Sequence, residues 1–359
     1  MEKIQFTYLI GAGASANTIP VINNFAKELG NFARYIENFE IKEDFFPDVY
    51  GINEKPSEIK ERFVDKTNWL AKECAEHLSI DTFAKKLYLA NRHKELNVLK
   101  AIVSEFLLVR QNRYGIDKRY DAFFASILEK INGKLKLPDN IKILSWNYDK
   151  QIEYSIAQFY EDSNSNMEEN FIQVMPREDE ANVDIGKFSL FKLNGTIGGT
   201  LKNNEKYIPM VIDYSLIKDK FTKEDEQNIM INLMQRFNFI EQKNLHFENY
   251  KTKQQDEYPT ITYSWEKNPV FEQIRNEALK ATKDTNILVI IGYSFPTFNR
   301  ILDKKILQNM GYIQKVFIQS PSSSIEGVMQ RFKALYEFDA GIEINPIVNV
   351  DEFYIPFEY

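Results

Sequence analysis

KIQFTYLIGAGASA, residues 3–16, sets an apolar, strand-like run against two glycines, after which a helix is expected. This is the layout of a dinucleotide-phosphate turn. Gly11 and Gly13 would allow a tight turn and close approach to a pyrophosphate, with the amides of Ala14, Ser15 and Ala16 pointing at its oxygens from a helix N-terminus. Position 16 is alanine where the dinucleotide fingerprint usually has its third glycine, and glycine turns also join strands to helices without any ligand. Both readings stay open from this segment alone.

Similar apolar runs recur at Lys3–Ile10, Ile141–Trp146, Phe188–Leu193, Ile287–Gly292 and Lys315–Gln319, most followed by a polar or glycine-containing turn and then helical spacing. The alternation predicts an α/β fold, a Rossmann-like doubly wound parallel sheet. From about residue 31 to 133 the pattern changes to long helical stretches, such as Ser57–His77 and Leu96–Gln111, with no convincing strand. This predicts a large helical insertion. Residues 218–256, rich in Lys, Glu, Asn and Gln around a helical core at Ile229–Phe239, read as a mobile surface excursion. The aromatic tail Glu352–Tyr359 reads as an added edge strand. With no internal repeat or low-complexity linker, residues 1–359 are expected to form one compact domain.

Composition narrows the class. The chain is 43% hydrophobic and 27% charged, as in ordinary globular proteins, and no apolar run approaches the ~20 residues that span a bilayer. The start lacks a signal-peptide pattern, so a cytoplasmic location without membrane association is expected. Cys74 is the sole cysteine, which excludes an intrachain disulfide and a cysteine-clustered zinc site. A formal charge of −7 argues against general nucleic-acid binding. The basic stretch from Lys85 to Arg119, with Lys86, Arg92, Lys94, Arg110, Arg113 and Lys118, reads first as a solvated helix face, then as a docking surface for an acidic partner, and last as a nucleic-acid groove.

Ligands of open α/β sheets bind beyond the carboxyl ends of the strands. The segments there are Ser145–Asp149 (SWNYD), Lys192–Thr196 (KLNGT), Gly292–Phe295 (GYSF) and Gln319–Ser322 (QSPS). Each alone could be a cap or a turn. Together they gather carboxamides, hydroxyls and a carboxylate at one edge of the sheet. Asn147 can grip a hydroxyl and aim a water. Asp149 could orient Asn147 or, as the better reading, cap the following helix. Phe295 reads as core.

With GAGAS at Gly11–Ser15, Pro20, DTFAK at Asp81–Lys85, SWNYD, KLNG at Lys192–Gly195 and GYSF in this order, the chain resembles the sirtuin-like family, specifically its zinc-free bacterial branch of antiphage defence. The resemblance covers most of the chain outside the two inserted segments. It implies an NAD glycohydrolase that cleaves NAD to nicotinamide and ADP-ribose and halts the infected cell by NAD depletion, with NAD as substrate and no metal. Carried onto this chain, it implies Asn147, Asn194 and Asp149 in the catalytic centre. Gly11, Ala12, Gly13, Ala14, Ser15, Pro20, Gly292, Ser294 and Ser320 would contact the dinucleotide. It further implies a homo-oligomer, a separate sensor or activator subunit such as a HerA-type ATPase or an Argonaute protein, or both.

Asn194 departs from the family, which usually has histidine there as the general base on a ribose hydroxyl. Losing such a base costs on the order of 10² to 10⁴ in rate where the chemistry depends on it. Three readings follow: a natural variant that hydrolyses NAD without the histidine, a form disabled to trap ligand, or an inactive NAD-binding subunit of a defence assembly. His77, His93 and His246 lie at no predicted strand end, and only His246 merits a test as a replacement base. An ordinary Rossmann oxidoreductase ranks last, because the acidic residue expected about 20 positions beyond the glycines is not evident.

Overall fold

The computed structural model describes residues 3–41, 54–159, 172–177, 183–203, 205–209, 222–336 and 341–359, apart from 247–256. Seven parallel strands form the main sheet. Along the chain they are β1 (Phe6–Ile10), β2 (Ile141–Ser145), β3 (Gln173–Met175), β4 (Ser189–Lys192), β5 (Ile287–Ile291), β6 (Lys315–Gln319) and β7 (Glu343–Ile347). Their order in the sheet is β7-β6-β5-β1-β2-β4-β3. The chain therefore builds outward from β1 on one side and then on the other, the reversal that defines a doubly wound, Rossmann-like α/β fold. Registers such as Phe6 opposite both Ile287 and Ile141 bring the strand ends level.

The central strands read as unbroken apolar runs because both faces are covered. Every residue of β1, β2 and β5 is buried. One face carries Phe6, Tyr8, Ile10, Ile141, Ile143, Val289 and Ile291, and Tyr120, Phe123 and Phe124 of the helix Lys118–Ile127 belong to the same cluster. The tail also packs into it rather than pairing as a strand. Phe353 meets Tyr120 edge-on at 4.8 Å, and the Tyr359 ring sits 6.0 Å from Phe6. The edge strand is instead Glu343–Ile347, paired with β6.

The chain divides into two compact units. The sheet unit comprises residues 1–17, 116–196 and 262–359; the other comprises 18–115 and 197–261. The sequence places the start of the helical insertion at about residue 31 and its end at about 133. In the structure the helix Ile22–Glu37 already belongs to the second unit, and the helix Lys118–Ile127 has returned to the sheet. Periodicity could not mark that return, since the helix is amphipathic like those before it. A hairpin, Glu129–Ile131 with Lys134–Lys136, stands where no strand was expected. Its turn residues Asn132 and Gly133 have φ of 51° and 78°, as an Asn-Gly hairpin requires.

The second unit contains Pro56–Glu76, Ile80–Leu89, His93–Tyr114 and Lys223–His246 as further helices. Its small sheet orders Lys206–Pro209, Gly195–Lys202 and Glu257–Ile261. Phe32, Phe63 and Phe237 join these helices, with Phe63 and Phe237 edge to face at 4.9 Å. The segment read as a mobile excursion thus contains a packed helix, with Leu233, Met234 and Phe237 buried. Residues 218–221 and 247–256 of it lie outside the described residues.

Candidate functional site

At the carboxyl end of β1 the chain makes a short 3-10 turn, Ala12–Ser15. The regular α-helix expected directly after the glycines starts only at Ile22. The amides of Ala14 and Ala16 bond to the carbonyls of Gly11 and Gly13, at 2.9 and 3.4 Å, rather than pointing outward together. The turn is locked to the loop after β5: Gly11 N–H donates to Ile291 O at 3.0 Å, and Gly13 N–H to Gly292 O at 2.9 Å. Side chains would not fit between these backbones. A Cβ on Gly13 would lie 2.8 Å from Gly292 Cα, and one on Gly11 2.7 Å from Tyr293 Cα. Gly292 has φ +60°, and its Cβ would stand 2.4 Å from the Ala14 nitrogen. The glycines read as a pyrophosphate cradle let these two loops pack backbone against backbone.

Arg119 braces the turn from below. Its guanidinium donates to the carbonyls of Ala14 (3.0 Å), Gly13 (3.3 Å) and Val350 (3.2 Å), and pairs with Asp117 at 2.6 Å. Burial pushes the Asp117 carboxyl upward, but hydrogen bonds from Arg119 outweigh it and hold the group below its usual range. Arg119 is buried, unlike the solvated face to which the basic stretch assigns it.

Asn147 follows β2 and is 7% exposed. Its Nδ2 donates to Gly11 O at 3.1 Å and Ser15 Oγ at 3.3 Å, so the carboxamide is held by the turn it faces. No hydrogen bond is made by its Oδ1 among the described residues. The Ser15 hydroxyl is buried and shared with Tyr120 Oη at 3.0 Å. Asp149 accepts from Gln151 N–H at 3.2 Å, from one residue before the N-cap Lys150 of the helix Gln151–Gln158. Burial raises its carboxyl, opposed by the Lys192 ammonium and by hydrogen bonds from Gln151 and Ser15. Lys192, 1% exposed, donates to the Asp149 carbonyl and lies 3.8 Å from Glu153. This buried cation pins the SWNYD loop, a role that reading KLNG as a motif does not reveal.

Asn194 stands to β4 as Asn147 stands to β2. Ser145 and Lys192 are register partners on adjacent strands, and each asparagine lies two residues beyond. Asn194 is also 7% exposed, and its buried Oδ1 has no hydrogen-bond partner among the described residues. A buried carboxamide oxygen left unpaired costs about 1–3 kcal/mol, a reason to expect a donor from outside the chain. Gly195 (φ +91°) turns the backbone after it. Arg275 supports this turn, donating to Leu193 O at 3.0 Å and Tyr263 O at 3.2 Å.

The remaining expected residues are dispersed. Ala12 is exposed and Ala14 buried. Ser294 is exposed, its carbonyl taken by Arg331 at 2.6 Å. Phe295 packs against Tyr293 and Phe332, as core. The Ser320 hydroxyl is bonded to that of Ser324 at 2.8 Å. Pro20 belongs to the second unit, as do His77 and His93. The His246 side chain lies outside the described residues. No group of three His, Cys, Asp or Glu side chains placed to hold a metal occurs among the described residues.

A buried acid, Asp303, lies behind the loops. Its two oxygens accept from the Tyr293 phenol at 2.9 and 2.8 Å, Asn299 Nδ2 donates to that phenol at 3.0 Å, and the Trp146 ring stacks on Tyr293 at 5.8 Å. The Trp146 N–H also approaches the carboxyl, without a well-aligned hydrogen bond. Burial pushes the Asp303 pKa up to about 8, against the lowering effect of Tyr293 and Trp146. A carboxyl raised on folding favours the native state fully below its unfolded value near pH 3.9, and that contribution is lost as pH rises through the folded value. Asp303→Asn is therefore expected to match the parent near pH 4 and to exceed it by a few kcal/mol at pH 8.5. Urea unfolding at the two pH values checks this; an equal gap at both would refute it.

No protein-family model matches the chain, and no curated protein matches it. No helix among the described residues is long and apolar enough to cross a membrane.

Proposed function

We propose that the chain is a sirtuin-like NAD glycohydrolase, releasing nicotinamide and ADP-ribose, and that in the cytoplasm it serves antiphage defence by depleting NAD. The observation that carries this reading is the pair of carboxamides, Asn147 and Asn194, beyond register-matched positions of adjacent parallel strands, with the Asn194 Oδ1 buried and without a hydrogen-bond partner among the described residues. Two carboxamide acceptors suit hydroxyl or water donors.

In the reaction the bond between nicotinamide and C1′ of the ribose breaks, its electron pair leaving with the nicotinamide nitrogen. Water adds to the cationic carbon and gives its proton to solvent. A carboxamide cannot take up that proton at neutral pH, so both asparagines act by orientation: Asn147 Oδ1 aims the water, and Asn194 Oδ1 holds a ribose hydroxyl. Asp149 and Lys192 keep the Asn147 loop in place. The locked glycine turn leaves the pyrophosphate to groups other than the amides of Ala14 and Ala16. Asn194 also favours a second reading, binding of NAD without turnover as a subunit of a defence assembly. In either case regulation falls to self-association or to a separate sensor subunit, of the HerA-type ATPase or Argonaute kind that the resemblance implies.

The test is chromatography with mass detection of NAD incubated with the unmodified chain and with Asn194→His. Nicotinamide and ADP-ribose from the unmodified chain are expected, with a faster rate in Asn194→His. Turnover only in Asn194→His would favour the binding reading for the natural chain. Intact NAD with both proteins, together with no measurable NAD binding, would overturn the proposal.

A further inference from the structure

We propose that Asp303 is a positioning residue for Asn147, anchoring the Tyr293 phenol and thereby fixing both the Trp146 ring and the Gly11 carbonyl that set the Asn147 carboxamide. This rests on Asn147 as the group that meets the ligand in the reading above.

Two routes lead from Asp303 to Asn147. In the first, Tyr293, held by both oxygens of Asp303, stacks nearly parallel to Trp146, at 13°, and Trp146 immediately precedes Asn147. In the second, Tyr293 is packed against Gly11 so closely that a Cβ there would lie 2.7 Å from both its Cα and its Cδ2. Gly11 O is the acceptor for Asn147 Nδ2. The routes converge, since the Trp146 amide bonds to Ile10 O at 2.9 Å, one residue before Gly11. A shift of the phenol thus moves the loop that carries Asn147 and the carbonyl that orients it.

An acid at this position is not explained by packing. Asp303 is almost wholly buried, and the polar groups that meet it among the described residues are Tyr293 and Trp146, with Asn299 of the 3-10 turn Thr297–Asn299 bonded to the Tyr293 phenol, all uncharged. Burying a carboxyl without a countercharge works against stability. What it supplies is a pair of carboxyl oxygens 2.9 and 2.8 Å from one phenol, which defines the phenol in both direction and depth.

The experiment uses the full chain with Trp69→Phe and Trp265→Phe, leaving Trp146 as the only one of the three tryptophans. Asp303→Asn keeps an acceptor for Tyr293; Asp303→Leu fills the space without one; Tyr293→Phe removes the phenol. Trp146 emission, NAD affinity by calorimetry and NAD turnover are measured for each. In the parent, Trp146 emission is expected to change around pH 8, the value to which burial raises Asp303, and to stay flat in Asp303→Asn. Asp303→Asn should keep NAD affinity and turnover. Asp303→Leu and Tyr293→Phe should shift Trp146 emission at every pH and lose at least about tenfold in turnover, with unchanged far-UV circular dichroism. Parental emission and turnover in both of these variants would overturn the assignment, as would equal impairment in Asp303→Asn. If no protein in the series cleaves NAD, the hydrolase reading fails, while emission across the series still decides whether Asp303 governs the Trp146 loop.

Discussion

Gly292→Ala is expected to destabilise the sheet unit by about 5 kcal/mol or more, enough to leave little folded protein. Two independent costs combine. The residue has φ +60°, where an L side chain is strained by about 1–2 kcal/mol. The larger cost is steric, because the new methyl would stand 2.4 Å from the Ala14 nitrogen and 2.5 Å from the Gly13 carbonyl carbon. Both are backbone atoms, and rotamer change cannot relieve the clash. The two loops would have to part, breaking the Gly13-to-Gly292 hydrogen bond. Thermal unfolding and expression level are the measurements; Gly30→Ala, where a methyl meets nothing within 4 Å, is the matched control. A Gly292→Ala protein within 1 kcal/mol of the parent, about the cost of an ordinary substitution, would show that the loops are not locked together in solution.

Asn147→Ala is expected to lower the rate of NAD cleavage by on the order of 10² to 10³, the usual cost of removing one group that orients the reacting atoms. Its effect on stability should be smaller, about 1–3 kcal/mol, since Gly11 O and Ser15 Oγ each lose a donor. Rate and stability are separated by measuring kcat and the unfolding midpoint on the same samples. A protein that stays folded and loses turnover supports Asn147 as the group that aims the water. An unchanged kcat would remove it from the chemistry.

Much of the sheet is legible in the chain because parallel strands buried on both faces become plain apolar runs: TYLI, IKIL, ILVII and VFI. The edges are less so. The strand Glu343–Ile347 contains Glu343, Asn345 and Pro346, tolerable only where one side is unpaired, and the aromatic tail looks the more strand-like of the two. The hairpin at Asn132–Gly133 has strands of only three residues each, too short to interrupt the helical reading of the segment before it.

At the site, Asn147 and Asn194 could be located because they sit just beyond recognisable strands. The glycine turn has a second close neighbour that its local motif does not name. A local motif shows that backbone comes close to something, and here that something is Gly292, supplied by a distant part of the chain. Arg119, Lys192 and Asp303 escaped notice because a charge in sequence looks like surface. Only the fold shows that each is buried among backbone carbonyls or a phenol.

The position of β1 has a consequence for biosynthesis. The earliest of the described strands to be synthesised is the middle strand of the sheet. One of its neighbours begins only at Ile141 and the other at Ile287. At about 5–20 residues per second, Phe6–Ile10 waits on the order of 15 to 60 s for its second partner. Throughout that interval the run FTYLI has unpaired backbone on at least one edge, while the helices of residues 18–115 can already pack on one another. The nascent chain thus carries a sticky, unfinished strand until Ile287 is reached, a period in which chaperone capture and pairing between neighbouring nascent chains compete with correct closure.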